Sequence, residues 1–180
     1  MKRVLIAFLM VASTVQVFAQ GTGVESEQAS ERWFPVQIGL IPQVQIADES
    51  IKIDGLKLNL VCARNDQVNG VDLGVFSGCG DMTGVQINLA SHVENTVSGV
   101  QLSVLNGAKD LDGVAMAAVN WHDGRLRGLA IGAVNISDEV VGVQIGVFNY
   151  CRRLTGVQLG LINISTEKTI KFFPILNISW

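Results

Sequence analysis

The side chains in this 180-residue chain that are equipped for chemistry are few and scattered. His92 and His122 are the two histidines, and no cysteine or carboxylate stands near them at a spacing that builds a zinc site. They are read as exposed loop residues. Serine, histidine and aspartate are all present, but nothing resembles a nucleophile elbow or a supported triad. Gly78-Cys79-Gly80-Asp81 is glycine-rich, yet no helix follows to aim backbone amides at a phosphate. Asp110, Asp112 and Asp123 are hard oxygen donors without the spacing of a calcium β-roll. Cys62, Cys79 and Cys151 allow one disulfide plus a thiol, or three small buried residues. No catalytic residue, cofactor or resident metal is assigned, and the expectation is a non-enzyme.

Two groups suit binding better than catalysis. Arg125, Arg127, Arg152 and Arg153 form a local basic cluster that would attract acidic glycans or lipid headgroups. Trp121 and Tyr150 hold equivalent places two repeats apart with Ile136 between them, a short apolar-aromatic stripe for a partner or saccharide. These six charged and aromatic residues are the candidate interaction site. Asn135, Asn163 and Asn177 each begin an Asn-Ile-Ser sequon, but the sequons arise from a repeat and are poor acceptors if the asparagines bond inward.

What must position these groups is a tandem repeat. Its starting glycines are Gly55, Gly70, Gly84, Gly99, Gly113, Gly128, Gly142 and Gly156, at spacings of 15, 14, 15, 14, 15, 14 and 14. Counting the glycine as position 1, positions 2, 4 and 6 are aliphatic or otherwise apolar in every copy, as in Val143, Ile145 and Val147. Glutamine or a small residue lies between them, as in Gln144 and Gly146. Period-2 alternation is the mark of a strand, and the hydrophobic rule then turns positions 2, 4 and 6 inward. Position 8 is Asn106, Asn120, Asn135, Asn149 and Asn163 in the later copies, a residue suited to a corner. A second inward column falls two residues before each next glycine: Val68, Met82, Val97, Leu111, Leu126, Val140 and Leu154.

Around the array stand four further segments. Residues 1–19 carry Lys2 and Arg3, an apolar run and Val17-Phe18-Ala19, the pattern of a cleaved signal peptide. Removing Lys2 and Arg3 from the 13 basic residues leaves 11 against 16 acidic ones, a formal charge of −5 and no footprint for nucleic acid. Residues 20–34 are a polar leader. Residues 35–54 hold an atypical first copy beginning at Pro35, the regular array covers 55–169, and 170–180 form a degenerate capping copy with Phe173 and Ile175 inward and Asn177 at the corner.

One repeat of this kind admits two all-β architectures. In a β-solenoid each 14–15-residue copy is one coil, and like residues stack about 4.8 Å apart. In an antiparallel up-and-down barrel each copy is one membrane strand. The 6% aromatic content leaves no girdles, the connections are all equal, and identical side chains gain most when stacked in parallel, so the solenoid is expected.

GVQIGVFN, GVQLGLIN and GLAIGAVN in tandem resemble the repeats of bacterial surface-repeat proteins of the GVQxGxxN type, over roughly Pro35 to Asn177. The resemblance implies export more than chemistry, to the cell surface, outer membrane or periplasm. Lys57, Asp72 and Cys62 depart from the pattern where glutamine or asparagine would stand. The QxGxxN core is also similar in its physics to curli-type amyloid repeats. The expected role is a structural or adhesive scaffold, with envelope components or surface glycans as partners and self-association through the solenoid ends. The barrel alternative would instead be a small pore or anchor.

Overall fold

The computed structural model describes residues 33–41, 44–45 and 48–180. The expected signal peptide and nearly all of the expected leader lie outside them. Among the described residues eight strands form one sheet in the order β2-β1-β3-β4-β5-β6-β7-β8. They are β1 (Trp33–Ile41), β2 (Val44–Gln45), β3 (Lys52–Leu102), β4 (Leu105–Met116), β5 (Val119–Ile131), β6 (Val134–Ile145), β7 (Phe148–Ser165) and β8 (Phe172–Ser179).

From β1 to β7 every strand pair between neighbours in the array is parallel, and from β3 onward glycine lies over glycine: Gly99↔Gly113, Gly113↔Gly128, Gly128↔Gly142 and Gly142↔Gly156. Each repeat is one coil of a β-solenoid. The up-and-down barrel, which needs antiparallel neighbours, is not the fold. The atypical first copy is a true rung, because Val36, Gln37 and Ile38 pair with Leu56, Lys57 and Leu58.

The face that turns inward is the opposite of the one expected. Gln37, Gln86, Gln101, Gln144 and Gln158 are fully buried, as are Asn106, Asn120, Asn135, Asn149 and Asn163. Positions 2, 4 and 6 point outward. At the bend, Leu60 is 63% exposed, Val147 53% and Leu161 67%. The alternation is as expected, but the polar side lies within. A coil of 14 residues has so small a cross-section that few side chains fit inside, and stacking identical amides lets each satisfy the next.

Four inward columns result. Position 3 holds the glutamines, position 8 the asparagines, and position 10 a mixed set including Cys79, Val93, Ala108, His122, Ser137 and Cys151. The fourth is the expected apolar column before each glycine, with Val68, Met82, Val97, Leu111, Leu126 and Val140 at no exposure. Together with small residues of the third column it makes the apolar core.

Both ends of the parallel array close with an antiparallel strand, β2 on β1 and β8 on β7. Residues 170–180 are therefore not one more coil in register. Asn177 is buried beneath Gln158, whose side-chain oxygen accepts its amide at 2.8 Å, while Ile175 is 70% exposed instead of inward. Pro174 lacks an amide hydrogen and Ile175 has φ +69°, so β8 offers a broken outer edge to another strand.

Candidate functional site

The asparagine column is the most regular arrangement in the molecule. Asn120 Nδ2 donates to Asn135 Oδ1, Asn135 to Asn149 and Asn149 to Asn163, each at 2.8 Å. The second amide hydrogen of each goes to the main chain, at Ile131 O, Ile145 O and Leu159 O respectively, all at 2.9 Å. A Cβ at Gly146 would lie 2.6 Å from Asn135 Nδ2 and 3.1 Å from Asn149 Oδ1, so the position-5 glycine clears the ladder's space.

The glutamine column is interrupted. Gln101 donates to Gln86, and Gln158 to Gln144, at 2.8 Å, but Ala115 and Ala130 separate the two runs. Asp72 continues the column as an acceptor. It takes hydrogen bonds from Gln86 Nε2 (2.8 Å), Asn59 Nδ2 (2.6 Å), Asn88 Nδ2 (3.5 Å) and the Ser77 hydroxyl. Lys57, one rung earlier, is fully buried and donates to Gly78 O at 2.9 Å. A buried carboxylate needs such donors, and here they come from three adjoining rungs. The departures at Lys57 and Asp72 thus join the internal network.

His122 is buried in the position-10 column and is not the exposed loop residue expected. Counting by two from Asn120 puts it on the same inner face, a signal available in the sequence. Its Nδ1 lies 3.4 Å from the Ser137 hydroxyl, and Nε2 has no hydrogen-bond partner. Burial pushes its pKa down to about 4, against the opposing pull of Asp123 and Asp110. The unfolded chain, near pKa 6.5, then binds the proton more readily than the folded one. Stability should fall as pH drops from about 6.5 to 4, by roughly 3 kcal/mol in total, and level off below. Urea midpoints measured across that range should slope less for His122→Val, since Val93 already occupies this column. Equal slopes would rule the histidine out as the cause.

The three cysteines are free. Burial raises Cys79 to about 12 and Cys151 to about 11, so both thiols are protonated packing groups at neutral pH. Among the described residues no group of three His, Cys, Asp or Glu side chains is placed to hold a metal ion.

The six candidate interaction residues all lie along one side of the solenoid, after position 8. Trp121, Ile136 and Tyr150 stack in direct register on successive rungs, half-buried. The Trp121 indole NH donates to Asp123. The arginines form a ladder of ion pairs. Arg125 meets Glu139 at 2.9 Å, Arg127 meets Asp112 at 3.4 Å, and Arg152 meets Asp138 at 2.8 Å. Arg153 reaches Glu167 at 3.0 Å and Glu139 at 3.5 Å. The Glu139 carboxyl is held below its usual pKa, chiefly by the hydrogen bond from Arg125.

An open depression of about 290 Å³ on this side is lined by Asp110, Asp112, Arg125, Arg127, Asp138 and Glu139 among others. Acids and bases alternate across it, so an anionic ligand would have to displace carboxylates already in place. No family model, curated protein or solved structure matches the chain.

Proposed function

We propose that the chain is an exported, non-enzymatic scaffold of the cell surface or envelope, a short rigid rod whose repeats serve as structure. The observation that supports this most is where the polar side chains are spent. Asparagines 120, 135, 149 and 163, the glutamines and Asp72 all bond to neighbouring rungs inside the coil. Groups locked into a ladder hold the fold and are not free to act on a substrate. The stacked Trp121–Ile136–Tyr150 stripe beside the arginine ladder is the part best suited to adhesion, to a surface glycan or another envelope component.

Expression of the full chain in a Gram-negative host tests this reading. The expected result is a mature protein beginning after Ala19 by intact mass, retained with the envelope and trimmed by protease added to whole cells. Retention of residues 1–19 with full protection inside the cytoplasm would overturn it.

A further inference from the structure

The solenoid is polar within and apolar without along one entire edge. Positions 2, 4 and 6 are apolar in all eight regular copies, and they face outward on one strand and around the bend. The apolar surface continues past the bend through Leu105, Val134 and Phe148 on the second strand. The edge is convex, so a flat face of another copy would cover only one of its sides. Most of the charge is segregated from it, because the Arg125–Glu139, Arg152–Asp138 and Arg153–Glu167 pairs occupy the opposite corner, while the Arg127–Asp112 pair marks the edge's limit just before position 1.

A second feature concerns the backbone. Polar main-chain groups enter hydrocarbon only when satisfied by the protein itself, which is why open loops are excluded there. At the bends of this edge the amides are bonded from rung to rung. Val104 N donates to Leu89 O (2.9 Å), Val119 N to Val104 O (3.2 Å), Val147 N to Ala133 O (3.0 Å) and Ile162 N to Val147 O (3.0 Å). The edge therefore meets this requirement, as does the charged corner, where Thr166 N donates to Cys151 O and Glu167 N to Arg152 O.

The dimensions agree with a single leaflet. Strand runs from position 2 to position 4 and positions 5 and 6 turn the bend, so the aliphatic edge reaches roughly 10 Å, within a half-bilayer of hydrocarbon of about 15 Å. Trp121 and Tyr150 lie just beyond the last aliphatic column, where the charged corner begins. Aromatic side chains with a polar end favour that boundary between acyl chains and water.

We propose that this aliphatic edge seats in the acyl layer of a lipid leaflet, with the solenoid axis along the membrane plane and the ion-pair ladder facing water. The occupant is the hydrocarbon of lipid, recruited without a demand for anionic headgroups. The proposal gives the scaffold reading its partner and takes its setting from it. It concerns the folded array alone, however, so a failed export assay and a failed lipid assay are separate results.

The test is flotation of the purified full chain with neutral phosphatidylcholine vesicles. The triple variant Leu89→Lys, Val147→Lys, Leu161→Lys changes three exposed bend residues and retains residues 1–32, which makes the comparison specific to the edge. The parent should float and the variant, with the parent's circular dichroism spectrum, should bind at least about tenfold less. Lys109→Ala on the opposite corner should float like the parent.

Four outcomes would each overturn the proposal. The parent fails to float, or the triple variant floats equally well. Binding requires anionic lipid and is lost in salt, which would assign it to the arginine corner. Sedimentation shows a dimer that the triple variant dissociates while neither protein binds vesicles, which would assign the edge to a second copy. Should the variant not fold, Leu161→Ser alone replaces it, with a smaller loss of flotation expected and the same four outcomes applying.

Discussion

Gly142→Ala should cost roughly 4 kcal/mol or more, enough to unfold the rungs on either side of it. Gly142 has φ +147°, a conformation in which an L side chain is strained, and it sits directly over Gly128. A Cβ there would strike the Gly128 carbonyl oxygen and lie 2.9 Å from both Gly128 C and N, all of it backbone with no rotamer to yield. Relief requires separating two rungs, which breaks the parallel ladder between β5 and β6 and interrupts the side-chain columns on either side. In a one-dimensional array the loss is felt by both neighbours, since each repeat is stabilised by the two it touches. Gly78→Ala is the matched control. Its nearest approach would be Arg64 Cγ at 3.7 Å, and its backbone is ordinary, so it should stay within about 1 kcal/mol of the parent. Urea unfolding of the two variants decides this, and similar midpoints would mean the glycine column is not a steric requirement.

Asn135→Val carries the second large effect, roughly 3–6 kcal/mol. The substitution removes one donor to Asn149 Oδ1, one donor to Ile145 O, and the acceptor for Asn120 Nδ2. All three partners lie in the interior, where an unpaired polar group costs about 1–3 kcal/mol. The ladder also makes a signature beyond magnitude. Once Asn135 is gone, Asn149→Val should cost less than it does alone, because one of its bonds has already been lost. A double-mutant cycle should therefore show coupling of about 1 kcal/mol or more between these neighbours. Strict additivity would mean the amides act separately and the ladder is only geometric. Gln144→Ala should be milder, since Ala115 and Ala130 already stand in that column without closing the coil.

The sequence carried the rungs plainly. Constant spacing of the glycines, the alternation within GVQIGVFN and the apolar residue two places before each glycine led to parallel coils and to the Val68–Leu154 column. Which side of the strand turned inward was not legible by the rule applied. Alternation separates two faces but does not label them, and "apolar inside" holds only where the interior is wide enough to receive the apolar set. Gly146 and Gly160 were the missed clue. They share a face with Gln144 and Gln158, and the smallest residue in the repeat belongs where space is least. Asp72 and Lys57 resembled breaks in the pattern because a single sequence shows which residue is unusual, not that four side chains converge on Asp72 and a carbonyl receives Lys57. Among the candidate interaction residues, the shared repeat position of Trp121 and Tyr150 was enough to put them in register on one side. The carboxylates that pair Arg125, Arg127, Arg152 and Arg153 were not, because their partners come from rungs 14 or 15 residues away.

The spacing of 14 or 15 has a last consequence. From β3 to β6 pairing slips by one residue between Val93 and Thr96, between Ala108 and Leu111, and between His122 and Arg125, each time at the charged corner. From β6 to β7, where both copies have 14 residues, there is no slip. In these pairings, β3 to β7, the aliphatic bend keeps its count. Length variation in this stretch is thus confined to one seam of the rod, and the opposite seam is fixed. A foreign peptide spliced after Asp123 would leave as a loop from a corner that already accommodates an extra residue, whereas the same insertion at Val147 would shift every column beyond it. The molecule has a built-in place for cargo, set by the arithmetic of its own repeat.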